Sequence, residues 1–302
     1  MTPPELKSCD AVFLAVPHTA AMAQVPALLA AGVSCFDLSA DYRLSDPSVF
    51  EAWYAAEHTS PELLKTRAFG LPELFCQDLE TAASSHAAGK PVLVACAGCY
   101  PTATSLAAAP AVRAGWVAEN GPVIVDAISG VTGAGKSCNA RTHFCSADEN
   151  LEAYGVGKHR HTPEIEQILD LTDRVVPLLR TWHRSSAGLL STVTMPLAPQ
   201  ALDALALEDV VDHYKKFYAG RTFVRVLDAG QQPKTASVSA PTLPRLALRS
   251  TSARACWWRR VLSTICARVQ QARRSSAPTS FLALTSDEAC PQWRARCSTF
   301  DC

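Results

Sequence analysis

The sequence predicts an α/β fold for its first 125 residues. A strand-like apolar run at residues 11–16 is followed by an alanine-rich stretch at 20–31, and the same alternation returns with the apolar run that precedes an alanine-rich stretch at 103–114. Strands that alternate with helices are typical of a sheet covered by helices. With 302 residues and 48% hydrophobic residues, the chain can bury one or two cores of ordinary size.

The most informative element is the stretch 94–104, where an apolar run ends at Gly98 and a helix is predicted to follow. Cys99 stands at the start of that helix. A thiol there meets the positive end of the helix dipole and unpaired backbone N–H groups, which favour the thiolate and can hold an oxyanion. The pattern therefore indicates a nucleophilic cysteine suited to acyl transfer through a thioester.

Cys96 and Cys99 also have the spacing C-x-x-C, which occurs in redox pairs, in half-sites for zinc and among cysteines buried in a core. Zinc needs more ligands, and neither a second C-x-x-C nor an H-x3-H pair follows at the usual spacing. We therefore expect no metal site. The redox and buried interpretations stay open beside the nucleophilic one.

Residues 123–136 join an apolar strand to a glycine-rich loop. Glycines allow the backbone to approach a ligand closely. The loop is neither a Walker A motif nor G-x-G-x-x-G, so its glycines alone are equally typical of a surface loop.

A base for the cysteine is offered by residues 157–165. Thr162 is the predicted N-cap of a helix and Pro163 its first residue, so His159 and His161 lie on the preceding loop. The basic side chains that flank His159 suit an anionic substrate. Residues two apart face different directions, so one of the two histidines is expected to serve as the acid/base, and the spacing does not decide which. A further helix is predicted over residues 202–218.

Six stretches of the chain form a further ordered pattern, namely VFLAVPH (12–18), DLSADYRL (37–44), FGLPEL (69–74), GCYPTA (98–103), SGVTGAGK (129–136) and HRHTPEI (159–165). Together they span about residues 10–240. The pattern resembles the N-acetyl-gamma-glutamyl-phosphate reductase family, the arginine-pathway branch of the aspartate-semialdehyde dehydrogenase-like enzymes.

The resemblance implies two domains. Residues 1–98 are expected to be the remainder of an incomplete Rossmann-type domain that binds NADP, and residues 99–239 an α+β catalytic and dimerisation domain. It also implies a cytoplasmic oxidoreductase that works as a dimer or tetramer on a small-molecule acyl phosphate. No signal peptide and no apolar run of ~18 residues is recognisable.

The resemblance also implies a role for individual residues. Cys99 would attack the acyl phosphate and expel phosphate, and NADPH would reduce the resulting thioester to N-acetylglutamate semialdehyde. His159 would be the acid/base, with His161 the second choice and otherwise a substrate contact. The guanidinium of Arg43 would hold a carboxylate or phosphate. The implied cofactor contacts are Pro17, Ser39, Ser129, Gly130, Gly133 and Ala134.

The chain departs from the family pattern in three places. Family members begin with a strand and a glycine-rich loop that cradles the cofactor, whereas this chain opens roughly 70 residues later in that layout, so we expect weak cofactor binding.

Residues 175–184 stand where the family has Thr-Pro-His-Leu, which a one-nucleotide frame shift restores. Residues 240–302 carry ten arginines, no lysine and no glycine, with a net charge of +7 against −7 for the rest. A shifted frame there encodes a family-like helix, so we interpret 240–302 as an irregular, out-of-frame tail.

Two other functions stay open. The chain could be an inactive relic or a misread product of a reductase gene. Alternatively, the arginine-rich tail could bind nucleic acid, with Trp257, Trp258 and Trp293 stacking on bases. The absence of lysine and glycine from the tail argues against that second function. The twelve cysteines are scattered along a long chain, which favours reduced thiols.

Overall fold

The structure is a computed structural model that describes residues 4–134, 139–155, 157–183, 188–202, 205–235, 245–251, 261–268 and 281–284. The chain forms two compact units, residues 1–98 with 275–302 and residues 99–274. None of the helices in the described part of the chain has the length and apolar character needed to cross a bilayer.

In chain order the strands are β1 (Ala11–Leu14), β2 (Ser34–Asp37), β3 (Ala68–Gly70), β4 (Leu93–Cys96), β5 (Val123–Gly130), β6 (Ala153–Tyr154), β7 (Val175–His183), β8 (Leu189–Pro196), β9 (Arg225–Val226), β10 (Arg245–Thr251), β11 (Val261–Arg268) and β12 (Phe281–Leu284). The α-helices are α1 (Val25–Ala30), α2 (Pro47–Tyr54), α3 (Cys76–Ala87), α4 (Cys99–Arg113), α5 (Phe144–Ala147), α6 (Thr162–Leu169), α7 (Pro199–Leu202) and α8 (Leu207–Phe217). Short 3₁₀ helices cover Pro4–Ser8, Pro61–Lys65 and Val131–Ala134.

The first unit is built on a five-stranded sheet in the order β12-β1-β2-β4-β3. Strands β1 to β4 are mutually parallel, and β12 joins β1 in antiparallel orientation. Its core includes Val12 and Leu14 of β1, Leu28 of α1 and Phe50 of α2, all fully buried. A parallel sheet with helices between its strands confirms the predicted α/β, Rossmann-type class.

The helix predicted over residues 20–31 is shorter in the structure, where α1 begins at Val25. The Asp41 carboxylate explains the delay, because its two oxygens accept hydrogen bonds from the backbone N–H groups of Thr19 at 2.7 Å and Met22 at 2.9 Å. Thr19 has φ +71°, so the chain turns there and cannot continue a right-handed helix. The buried carboxylate comes from a distant residue, and local composition does not reveal it.

The second unit is built on a seven-stranded mixed sheet in the order β6-β7-β5-β8-β11-β10-β9. Strand β5 runs parallel to β7 and antiparallel to β8. Along β8, side chains alternate between buried and half-buried, as expected for a strand with one face on the core. Helix α4 is buried along most of its length. This arrangement is the predicted α+β domain.

Two tyrosines attach α8 and the residue after it to α4. Pro110 stands inside α4 and has no N–H for the carbonyl of Leu106. The Tyr218 hydroxyl donates to that carbonyl at 2.6 Å, and the Tyr214 hydroxyl donates to the carbonyl of Ala107 at 2.9 Å. Of the helix predicted over residues 202–218, the structure has α8 from Leu207 to Phe217. Leu202 is the last residue of α7, and residues 203–204 lie outside the described part.

Strand β7 covers residues 175–183 of the segment 175–184, where the sequence departs from the family pattern. Its pairing with β5 contains a bulge, because Val176 pairs with Ile124 whereas Leu179 pairs with Asp126. Pro177 lies inside this bulge, and a proline has no N–H for the ladder. The frame-shift hypothesis for this segment stays a prediction.

Residues 240–302, which the sequence predicts to be irregular, contribute three strands. Strands β10 and β11 extend the sheet of the second unit, and β12 extends the sheet of the first. The segment is therefore divided between the two units. Its remaining residues, including the three tryptophans, lie outside the described part, and its out-of-frame origin stays a prediction.

Candidate active site

The nucleophile candidate Cys99 is the first residue of α4, and two residues separate it from the end of β4. Its side chain is half-buried. The first N–H groups of a helix have no partner within the helix and carry partial positive charge. They can stabilise both a thiolate and an oxyanion formed beside it.

The other cysteine of the C-x-x-C pair has a different environment. Burial, and then the negative charge of Asp37, raise the pKa of the Cys96 thiol to about 12, although the nearby Arg43 acts in the opposite direction. A thiol with that pKa stays protonated at neutral pH and is a poor nucleophile. Cys99 is therefore the member of the pair that is suited to nucleophilic chemistry.

Tyr100 brings both candidate histidines to the first turn of α4. Its ring is almost fully buried, and its centroid lies 5.7 Å from the ring of His159 and 6.0 Å from the ring of His161. The two imidazoles are 4.8 Å apart. The sequence contains Tyr100 in the GCYPTA stretch, but composition and spacing give it no role. The structure makes it the wall against which both histidines pack, one residue after Cys99.

The helix after the histidines begins one residue earlier than its predicted cap implies. His161, not Thr162, occupies the N-cap position, and its side chain makes no capping hydrogen bond. Thr162 is the first residue of α6, and its Oγ1 has no hydrogen-bond partner among the described residues. The sequence predicts Thr162 as the N-cap because threonine is common at that position. In the structure the first hydrogen bond of α6 instead runs from Ile165 N–H to the backbone carbonyl of His161, at 3.1 Å.

His159 is held by contacts within its own loop. The backbone N–H of His161 donates to His159 Nδ1 at 3.0 Å, and the Tyr154 ring meets the imidazole edge-on at 5.9 Å. Gly155 has φ +62°, and a Cβ at that position would lie 3.0 Å from His159 Cδ2. Glycine is therefore favoured there both by the backbone and by the imidazole.

A second layer supports Tyr154. The Arg141 guanidinium lies 5.6 Å from the centre of the Tyr154 ring and 2.9 Å from a carboxylate oxygen of Glu152. Both charged side chains are about half exposed, so the pair itself contributes little to stability. The effect of the pair is local, because the Arg141 guanidinium covers the Tyr154 ring, which in turn contacts His159.

The glycine-rich loop after β5 continues into the short 3₁₀ helix Val131–Ala134. Ser129 donates from Oγ to the carbonyl of Gly130 at 3.1 Å, and a Cβ on Gly133 would lie 2.7 Å from that Oγ. Contact with Ser129 alone therefore favours glycine at position 133, whether or not a ligand also approaches the loop. Ala134 ends the described part of this loop, and Lys136 lies outside it.

Three of the predicted site residues belong to the first unit. Arg43 is almost fully buried, and it donates from Nε to the carbonyl of Cys96 at 2.9 Å and from Nη2 to the carbonyl of Leu38 at 2.8 Å. These bonds tie the loop after β2 to the end of β4. Arg43 thus has a bracing role that the sequence did not predict, and its contact with substrate stays a prediction.

Pro17 and Ser39 follow β1 and β2 at the carboxyl end of the parallel strands, which is where open α/β sheets bind ligands. Ser39 Oγ accepts the N–H of Asp41 at 3.1 Å, a bond that uses a lone pair and not the hydroxyl hydrogen. The Ser39 side chain and its backbone N–H also hydrogen-bond to the Asp37 carboxylate. The position of Pro17 and Ser39 at the carboxyl end of the strands fits a dinucleotide.

Asp37, at the end of β2, is the most perturbed carboxyl group near these residues. Burial raises its pKa to about 6, while hydrogen bonds from Ser39 act in the opposite direction. No group of three or more histidine, cysteine or acidic side chains that could hold a metal ion occurs within the described ranges.

Comparison with known proteins agrees with this geometry. The family model of the semialdehyde dehydrogenase dimerisation domain matches residues 99–272, and that of the semialdehyde dehydrogenase NAD binding domain matches residues 1–82. An N-acetyl-gamma-glutamyl-phosphate reductase of Symbiobacterium thermophilum is 44% identical over 241 residues, which are 78% of this chain and 65% of the relative. The chain belongs to the N-acetyl-gamma-glutamyl-phosphate reductase family.

Other members of the reductase family match this chain with similar identity and coverage. The reductase of Janthinobacterium sp. is 40% identical over 81% of this chain and 68% of its own length, and that of Syntrophobacter fumaroxidans is 43% identical over 76% and 63%. The chain thus spans about two thirds of the length of the curated reductases that it matches.

Solved structures of semialdehyde dehydrogenases share the fold. Aspartate semialdehyde dehydrogenase II from Vibrio cholerae covers 87% of this chain and 75% of its own with a TM-score of 0.60 at 11% identity. The enzyme from Candida albicans, solved with NADP, has a TM-score of 0.56 at 12% identity over 86% of this chain and 72% of its own. The match of residues 1–82 to the semialdehyde dehydrogenase NAD binding domain indicates a nicotinamide cofactor.

Proposed function

We propose that the chain reduces N-acetyl-gamma-glutamyl phosphate to N-acetylglutamate semialdehyde and phosphate, as an enzyme of arginine biosynthesis in the cytoplasm. The observation that carries the proposal is the position of Cys99 at the start of α4, with the next residue, Tyr100, packed against two histidine rings. A nucleophile, an acid/base and oxyanion donors are the groups that acyl transfer requires.

In the first step, the Cys99 thiol gives its proton to a histidine and its sulfur attacks the acyl carbon. A C–S bond forms, the bond from the acyl carbon to the phosphate oxygen breaks, and phosphate leaves with the electron pair. The N-terminal N–H groups of α4 stabilise the negative charge that develops on the carbonyl oxygen. Lys158 and Arg160 are exposed beside the histidines and attract the anionic substrate.

A bound nicotinamide cofactor supplies the hydride that reduces the thioester. We propose NADP as that cofactor, and we propose Pro17, Ser39 and residues 129–134 as residues that contact it. Within residues 129–134, the proposed contacts are Ser129, Gly130, Gly133 and Ala134. Arg43 and whichever histidine does not carry the proton are proposed to hold the substrate, and the dimerisation-domain match supports a homo-oligomer, a dimer or tetramer.

The test separates acylation from reduction. The full chain is mixed with N-acetyl-gamma-glutamyl phosphate without cofactor, and phosphate release is followed in time. We expect a burst of one phosphate per chain, abolished by Cys99→Ser and retained by Cys96→Ser, because the Cys96 thiol is not ionised at neutral pH. Addition of NADPH, in parallel with NADH, then tests reduction. A folded chain that releases no phosphate would instead support an inactive relic.

A further inference from the structure

We infer that the two histidines have different tasks, with His159 as a neutral hydrogen-bond donor from Nε2 and His161 as the group that accepts and returns the proton. The inference rests on the proposed function for the identity of the substrate, but not for the state of the two rings. It reverses the order in which the family resemblance ranks them.

The first step is the hydrogen bond at 3.0 Å from the backbone N–H of His161 to Nδ1 of His159. A backbone amide is always a donor, so Nδ1 must present its lone pair and cannot carry a hydrogen. A neutral imidazole has one N–H, which in His159 is therefore on Nε2.

The second step is that the ring cannot readily reverse this assignment. A flip of the imidazole would exchange Nδ1 with Cδ2 and bring a C–H group against the His161 N–H. The ring is enclosed by Tyr154, with centroids at 5.9 Å, by Tyr100 at 5.7 Å, and by Gly155, where an added Cβ would lie 3.0 Å from Cδ2. These neighbours fix the plane of the imidazole, and the amide fixes its tautomer.

The third step concerns proton transfer. As a base, His159 would have to accept a proton at Nε2, which already carries one, or first move its hydrogen to Nδ1. The second route would set two N–H groups against each other at 3.0 Å and leave a backbone donor without an acceptor. Nε2–H is instead suited to donate to the carbonyl oxygen of an acyl group as negative charge develops there, as neutral imidazoles can do.

The fourth step assigns the proton to His161. Its imidazole lies 4.8 Å from that of His159, and two cationic rings at that distance would repel each other. A permanently neutral His159 removes the repulsion and lets His161 hold the proton taken from the Cys99 thiol. The hydrogen bond that fixes the His159 tautomer uses the backbone N–H of His161 and not its imidazole. Charged side chains on the surrounding segments are Arg141, Glu152, Lys158, Arg160 and the buried Glu164.

The ring states are measured directly by nitrogen-15 NMR of the full chain with labelled histidine, without substrate or cofactor. His159→Gln and His161→Gln spectra assign the two signals. We expect the His159 signals to show the Nε2–H tautomer from about pH 6 to pH 9 and not to titrate, whereas those of His161 titrate. Titration of His159 in that range, or an Nδ1–H tautomer, would overturn the inference.

A chemical test uses alkylation of Cys99 by iodoacetamide, followed by the mass of the Cys99 peptide. His161→Gln removes the proton acceptor, so we expect alkylation at neutral pH to slow by about tenfold or more. His159→Gln keeps an amide N–H donor near the position of Nε2 and should slow it less. His86→Gln, on α3 beside Ser34, is the control that should not change the rate.

The result that contradicts the assignment is a larger loss of alkylation rate in His159→Gln than in His161→Gln. Acylation by the acyl phosphate is a separate measurement. If it fails while His159 keeps the Nε2–H tautomer and His161 titrates, the proposed function is wrong and the assignment of the rings stands.

Discussion

The Tyr100 ring lies 5.7 Å from the ring of His159 and joins the first turn of α4 to a loop some sixty residues later in the chain. Because Tyr100 is almost fully buried, its position is fixed by the packing of α4. The histidines therefore take their position from the same helix that begins with Cys99. The spacing between nucleophile and acid/base thus depends on one buried aromatic ring.

Replacement of Tyr100 tests this dependence. Tyr100→Leu removes the ring that both imidazoles contact, so we expect the rate of phosphate release with the acyl phosphate to fall by about tenfold or more through misplacement of the histidines. Tyr100→Phe keeps the ring and is the matched control. Equal rates for Tyr100→Leu and the unaltered chain, with both folded by circular dichroism, would contradict the positioning role.

Gly155 is expected to matter for function as well as for stability. Gly155→Ala places a Cβ 3.0 Å from His159 Cδ2 and also strains a backbone with φ +62°. Gly89→Ala is the matched control, because Gly89 has φ +75° and no atom within 4 Å of the added Cβ. We expect both variants to lose about 1 kcal/mol in urea unfolding.

Only Gly155→Ala should also slow phosphate release and alter the nitrogen-15 signals of His159. Unchanged His159 signals in that variant would show that the ring is not enclosed as described.

Tyr218 is expected to stabilise the second unit through the carbonyl that Pro110 leaves unpaired. Tyr218→Phe removes the hydroxyl donor to Leu106, so the free energy of unfolding should fall by about 1 kcal/mol in urea. Pro110→Ala supplies an N–H to the same carbonyl. In the double variant the cost of Tyr218→Phe should therefore be smaller, and an additive result would contradict the account.

Asp37 makes stability depend on pH. Its pKa in the folded chain is raised to about 6 by burial, so the folded state binds more protons than the unfolded state between the ordinary aspartate pKa of 3.8 and about 6. The stabilisation that the folded state gains from protonated Asp37 therefore decreases as pH rises through that window and is fully lost above it. Asp37→Asn keeps the acceptor for Ser39 N–H and removes the ionisation.

We expect Asp37→Asn to raise the free energy of unfolding near neutral pH by about 2 kcal/mol relative to its effect near pH 4. Asp46→Asn is an exposed control, since that carboxylate caps α2 and its pKa is lowered by hydrogen bonds from Ser48. A difference for Asp37→Asn that does not depend on pH would contradict burial as the cause.

Part of this structure could be predicted from the sequence because local patterns determine it. The apolar run, the glycine and the helix formers around Cys99 give a strand, a turn and a helix start, and α4 begins at that residue. The histidines could be placed before a helix for the same reason. The α/β class follows from the alternation of elements.

Other features depend on residues that are far apart in the sequence. The late start of α1 depends on the carboxylate of Asp41, and the bracing role of Arg43 depends on a carbonyl 53 residues away. The tautomer of His159 depends on whether one backbone N–H points at Nδ1. No spacing rule reports such contacts, and so the sequence finds the candidate residues but not their individual tasks.

The most direct test of the account is the mass of the Cys99 peptide after the full chain is mixed with N-acetyl-gamma-glutamyl phosphate in the absence of cofactor and quenched in acid. The account predicts one N-acetylglutamyl group on Cys99, none on Cys96, and its loss on treatment with hydroxylamine as expected for a thioester. An acyl group on another residue, or none on a folded chain, would contradict the claim that Cys99 is the nucleophile.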